Sequence, residues 1–143
     1  MEIIYSKLDP KKILHIVHPL DEFDTIDVGH RKDIVDAKQF IQLSALKMKK
    51  GQTFKPHKHI WKDGEKKVIA QESWVVIRGS VKCSFYDIDG TLLKELVLNV
   101  GDCSITLEGG HTYSILKDNT LVYEYKTGPY KGSENDKIFI DEN

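Results

Sequence analysis

The sequence predicts an all-β domain, and three observations carry that expectation. Apolar residues come in short runs rich in Val, Ile, Leu, Phe and Tyr, several of them alternating with polar residues. Gly, Asp and Asn turn signals punctuate those runs. No stretch of ten residues or more has the spacing of an amphipathic helix. Many short strands separated by such turns predict a sandwich or a barrel.

The first clear run is Ile13 to Val17, ended by Pro19. A mixed region from Asp21 to Lys38 follows, with a turn at Gly29 and room for one short helical turn within residues 31–40. Phe40 to Met48 alternates: Phe40, Gln42, Ser44, Leu46 and Met48 share one face, and Ile41, Leu43, Ala45 and Lys47 the other. After Gly51, Phe54 to Trp61 reads as extended. Asp63-Gly64 is a hairpin signal, because both residues tolerate positive φ. Val68 to Ile77 returns as a strand and ends at Gly79. Val81 to Ile88 and Leu92 to Val100 flank a second hairpin turn, Asp89-Gly90. Cys103 to Leu107 leads to Gly109-Gly110. His111 to Leu116 reaches Asp118-Asn119, read as a third hairpin, and Thr120 to Lys126 follows. The tail from Gly128 is polar, with an apolar cluster at Ile138, Phe139 and Ile140.

The length of 143 residues fits one domain, and no repeat or low-complexity tract is visible. A formal net charge of -1 gives no electrostatic reason to expect nucleic acid or an anionic membrane as partner. Lys47, Lys49 and Lys50 read as a solvated strand face. No apolar run approaches the ~18 residues of a membrane span. No secretory pattern opens the chain, so the expected location is the cytoplasm, with Cys83 and Cys103 reduced. Each thiol lies in a strand-like run and is expected to be buried as a small apolar residue.

The stretch from Gly51 to His59 carries the chemistry. His57 and His59 stand at i and i+2, which on a strand points both imidazoles to one face. If that face is the interior, they can share a metal ion. Glu72 opens the apolar run Ser73-Trp-Val-Val-Ile, where an unpaired inward carboxylate would be costly. His111 follows Gly109-Gly110 at the start of another strand.

This constellation resembles the cupin superfamily. The first cupin motif is a glycine, five residues, His-x-His, a spacer, Glu, six residues and a glycine; Gly51, His57, His59, Glu72 and Gly79 stand in that order and spacing. The second runs from a glycine through a Pro-x-Gly turn to a histidine; Gly101, Leu107, Gly109 and His111 follow it. The spacer between His59 and Glu72 is longer than in the family pattern, Leu107 replaces the proline, and His111 falls one position early. Asp63-Gly64 accounts for the spacer as a longer hairpin that carries Glu72 back level with His59. Asp63 competes for the carboxylate place. Glu72 is preferred because Asp63 has a turn role and only Glu72 has the six-residue step to Gly79; Glu65 is a weaker candidate.

The resemblance covers residues 40–127 and implies a single-domain jelly-roll β-barrel. Residues 1–39 form an arm of N-terminal strands and 128–143 a tail. It implies one divalent transition metal (zinc, iron, manganese or nickel) on His57, His59, Glu72 and His111, with one or two positions open to a small-molecule ligand. The segments at 108–112, 123–130 and 136–140 are similar to a bacterial cupin group linked to polysaccharide or nucleotide-sugar pathways, which implies a sugar-related ligand. The chemistry expected is isomerisation, epimerisation or oxygen-dependent cleavage. The alternative is a binding module that holds a sugar or carboxylate without turnover.

Tyr113, Glu124 and Tyr125 are the candidate bases. Glu124 and Lys126 alternate with Tyr123 and Tyr125, so one of the two pairs must face the interior. Arg78 shares strand parity with Glu72, Trp74 and Val76 and could grip an acid group. Trp74, Lys126 and Tyr130 complete the candidate substrate contacts, Tyr130 either at the barrel mouth or in a tail wrapped on the barrel. A homodimer is expected, built on strands such as Ile13 to Val17.

Overall fold

The computed structural model describes residues 1–62 and 68–140. The hairpin turn Asp63-Gly64 and the alternative ligands Asp63 and Glu65 lie outside the described residues. Two antiparallel five-stranded sheets face one another. The first has the order β10 (Leu92–Asn99), β9 (Ser80–Tyr86), β12 (Gly110–Ile115), β5 (His57–His59), β14 (Lys137–Phe139). The second has the order β11 (Cys103–Thr106), β8 (Glu72–Arg78), β13 (Thr120–Thr127), β4 (Ile41–Met48), β3 (His30–Asp33). Two short antiparallel pairs complete the described residues: β1 (Glu2–Tyr5) with β2 (Ile13–Val17), and β6 (Trp61–Lys62) with β7 (Val68–Ile69). This is a jelly-roll barrel.

Strand alternation places the core. Leu46, Met48, Trp74, Val76 and Val122 of the second sheet meet Val81, Cys83, Leu98, Tyr113 and Ile115 of the first, all buried in one cluster. On the outer face of the second sheet, Ala45 and Leu121 are covered by Phe23, Ile26 and Ile34. Gly79 is the single residue between β8 and β9, where the chain leaves one sheet for the other. Its φ is +85°, and a Cβ there would run into the side chain of Thr120. Glycine is therefore required on two grounds.

The structure corrects several expectations. The helical turn falls at Leu20–Thr25, not within 31–40. Pro19 leads into it with φ already at -65°, and Asp21 and Glu22 sit in its first turn. The turn at Asp118-Asn119 exists, with Asn119 at φ 53°, but it is not a hairpin. It links β12 of one sheet to β13 of the other. Local turn chemistry marks a reversal and does not say which sheet receives the next strand. Cys83 is buried as expected, whereas Cys103 is exposed on edge strand β11. Strands β3 and β14, from the arm and the tail, serve as sheet edges. Among the described residues no helix is long and apolar enough to cross a membrane.

Candidate metal centre

Three imidazoles come from the first sheet and one carboxylate from the second. On β5, His57 and His59 turn inward, while Lys58 between them turns out and donates to the Ile88 carbonyl at 2.6 Å. His111 on β12 lies directly opposite His57 across the ladder, with ring centroids 4.6 Å apart. Glu72 opens β8 and faces them across the barrel. Oε2 of Glu72 lies 3.3 Å from His59 Nε2, and Oε1 lies 3.1 Å from His111 Nε2. All four residues are buried, at 5, 6, 5 and 0 % exposure for His57, His59, Glu72 and His111.

The far side of each ring fixes which nitrogen faces inward. His57 Nδ1 donates to the Lys55 carbonyl at 2.9 Å. His59 Nδ1 donates to the Asp136 carboxylate at 3.1 Å. His111 Nδ1 pairs with the Thr106 hydroxyl at 2.9 Å. With the proton on Nδ1, Nε2 of His57 and of His59 presents a lone pair toward the cluster, and His111 Nε2 does so when its Nδ1 donates to Thr106. Lone pairs on His59 and His111 facing a carboxylate at 3.1–3.3 Å repel it unless a cation joins them. Neither nitrogen has a hydrogen-bond partner, although both are buried. A metal ion would supply that cation. Donor atoms bound at about 2.1 Å to one ion lie up to about 4.2 Å apart. The four donor atoms here all lie within 4.8 Å of one another, so small side-chain adjustments close the set. The group fits a single metal ion.

The titration behaviour has the same cause. Burial, reinforced by the charges of His111 and Lys137, lowers His57 to about 4. Burial also pulls His59 down, but the neighbouring carboxylates of Asp136 and Glu72 outweigh it and raise its pKa. For Glu72, burial alone would raise the carboxyl. The closeness of the His111 and His59 rings wins and holds it well below the ordinary range.

Asp136 was not singled out in the sequence. Its Oδ2 also accepts from Lys126 at 3.1 Å, and its Oδ1 lies 2.6 Å from Lys62 Nζ. Burial would raise this carboxyl, yet His59, Lys62 and Lys126 depress it. The signal that marks Glu72, a carboxylate opening an apolar run, also marks Asp136 before Ile138-Phe139-Ile140. Trp74 is likewise a support: its indole donates to Glu72 Oε1 at 3.1 Å, and its ring stacks on Tyr113 at 3.9 Å. That places Trp74 in the core, not at a ligand surface.

Of the candidate bases, Glu124 is buried on the inward face of β13. It pairs with Arg31 at 2.7 Å, and burial together with the charge of Glu72 raises its pKa. Tyr113 is sealed in the core, its hydroxyl 3.0 Å from that of Ser104, and burial pushes its pKa well up. Tyr125 corrects the sequence reading. It is 41 % exposed on the outer face, because the inward pair is Glu124 and Lys126. Arg78 is a second correction. The ladder between β13 and β8 slips between Leu121 and Val122, so Ile77 is an extra residue and Arg78 pairs with outward-facing Leu121. One bulged residue reverses strand parity, and Arg78 ends exposed, away from the cluster.

Beside the cluster lies a cavity of about 360 Å³ lined by Arg31, Gln42, Lys126, Tyr130 and Lys137, among others. Lys126 Nζ stands 4.4 Å from the centre of the Tyr130 ring. The tail thus does both things considered: β14 pairs with β5, and Tyr130 lines this cavity. None of the four ligand residues lines this cavity, which reaches the cluster through Lys137, or a larger groove of about 560 Å³ lined by Thr53, Lys55, Ser84, Thr112 and Phe139; Glu72 lines a third, more open cavity of about 280 Å³ with Ile41, Ile105, Tyr125 and Lys126.

No protein-family model matches the sequence, and no curated protein does. Solved structures match its fold. KdgF from Halomonas sp. is 18 % identical with a TM-score of 0.54, over 71 % of this chain and 80 % of that one. A cupin-2 domain containing protein from Shewanella frigidimarina is 16 % identical with a TM-score of 0.56, over 79 % of this chain and 95 % of that one. The capsular polysaccharide assembling protein CapF from Staphylococcus aureus is 16 % identical with a TM-score of 0.61. The match covers 78 % of this chain but only 32 % of CapF, so the chain spans about a third of that protein. The chain has the cupin fold.

Proposed function

We propose that this cupin-fold chain is a metal-dependent enzyme acting on a small, sugar-related molecule, by isomerisation, epimerisation or oxygen-dependent cleavage. The observation that carries the proposal is the convergence of three outward-anchored imidazoles and one carboxylate, buried beside a cavity lined by polar groups. His57, His59, Glu72 and His111 would hold zinc, iron, manganese or nickel. Such an ion would supply a Lewis acid for a carbonyl or hydroxyl oxygen. Glu124 would be the group that takes or returns a proton, a role its raised pKa suits. Lys126 and Tyr130 would line the ligand space. The likeness to CapF, a capsular polysaccharide assembling protein, supports the sugar-related reading.

A second reading is a binding module that anchors its ligand on the metal without turnover. It is favoured by the engagement of Glu124 with Arg31 and by the removal of Tyr113 and Tyr125 from the site. Metal analysis joined to oxygen consumption separates the cases. Iron with oxygen uptake on a sugar substrate supports the oxygenase. Zinc, nickel or manganese with sugar interconversion and no uptake supports the isomerase. Metal with ligand binding and no product supports the module. A protein that takes up no transition metal contradicts all three.

A further inference from the structure

We propose that the cavity beside the cluster binds the carboxylate of a small sugar acid, with Lys137 as its principal anchor. The inference rests on the ligand-binding reading above and deepens it. Among the described residues, the other cations at this mouth each have a carboxylate partner. Arg31 pairs with Asp33 and Glu124, each at 2.7 Å, and Lys126 and Lys62 both pair with Asp136. Lys137 makes no ion pair with a carboxylate among the described residues, although it is partly buried and lines the cavity. Its nearest polar contact is His57 Nε2 at 3.4 Å, the lone pair that a metal would use. Metal binding at His57 displaces that contact and leaves two cations side by side. An anionic group between them relieves the repulsion.

The size and charge of the cavity narrow the ligand. A volume of about 360 Å³ suits a single-ring molecule. Asp33 lines the same mouth, and Glu124 and Asp136 pair with its cations Arg31 and Lys126; these carboxylates would repel a doubly charged phosphate more than a singly charged carboxylate. Gln42 and Tyr130 add polar and aromatic surface for the ring.

Calorimetric titration of the metal-loaded protein with D-galacturonate, D-galactose and D-glucose 6-phosphate tests this. Galacturonate should bind at least tenfold more tightly than galactose and more tightly than the phosphate. Lys137→Met should abolish the tenfold preference, and Lys137→Arg should keep most of it. Metal content, measured on the same samples, should not change in either variant. Equal binding of acid and neutral sugar, no binding of galacturonate, tighter binding of the phosphate, or a preference that survives Lys137→Met would overturn the inference. A wild-type protein without metal would instead fail the metal-centre reading, which the same samples report separately.

Discussion

Asp136 accepts the Nδ1 proton of His59 at 3.1 Å across 77 residues of sequence, and so ties the tail to the ligand cluster. The same carboxylate gathers Lys62 and Lys126. Partners of this kind fix the tautomer and direction of a ligating imidazole. Asp136→Asn should lower metal affinity by roughly 10- to 100-fold while keeping the β signature in circular dichroism. Competition against a chelator of known affinity measures the change. Unaltered affinity would separate Asp136 from the function of His59.

The indole of Trp74 holds Glu72 from below. Trp74→Phe keeps the aromatic stack on Tyr113 but removes the donor to Oε1. A hydrogen bond to a charged group contributes roughly 1.5–3 kcal/mol. Metal-free Trp74→Phe should therefore lose stability in that range by urea titration, and its metal affinity should fall several-fold. Wild-type values on both measurements would show that Glu72 is oriented by other groups.

The first motif of the site was legible because metal ligation leaves a local imprint. A two-residue period places His57 and His59 on one face, and Glu72 opens an otherwise apolar strand. The strands themselves were legible from alternation, as Gln42, Ser44, Leu46 and Met48 on the inward face of β4 illustrate. Long-range facts left no such imprint. The bulge that expels Arg78 depends on how β8 and β13 register against each other. Lys137 and Asp136 reach the site only because β14 pairs with β5, a pairing that the composition of the tail does not encode. Short edge strands such as β3, His-Arg-Lys-Asp, carry almost no apolar signal at all.

Acid should weaken the metal-free protein through His57. An unfolded histidine titrates near 6.5, and burial with the charges of His111 and Lys137 brings folded His57 to about 4. As pH falls, the unfolded chain takes up this proton first. The stability contributed by neutral His57 is thus complete above pH 6.5 and is lost progressively toward pH 4. The difference is worth roughly 3 kcal/mol. His59 runs the opposite way: burial pulls it down, but Asp136 and Glu72 lift it further. Its contribution is present below pH 6.5 and lost as pH rises through its folded value. The comparison of wild type with His57→Gln isolates the first effect. The wild type should lose stability more steeply between pH 6.5 and 4 in urea titrations, and parallel profiles would contradict the assignment.

At the crossing from β8 to β9, Gly79→Ala meets both a positive φ and the Thr120 side chain. Backbone strain of this kind costs roughly 1–3 kcal/mol. Thermal unfolding should register a loss at the upper end of that range, because Thr120 must also move. An unchanged midpoint would mean that the crossing is more adaptable than its geometry implies.

The central claim is that one ion joins the two sheets through four side chains. Elemental analysis of purified, metal-reconstituted protein measures it directly, with wild type and the His57→Ala/His111→Ala double variant side by side. The account predicts one transition-metal ion per chain in the wild type and none in the double variant, with the strand signature intact in both. Stoichiometric metal retained by the double variant, or none bound by the wild type, would contradict it.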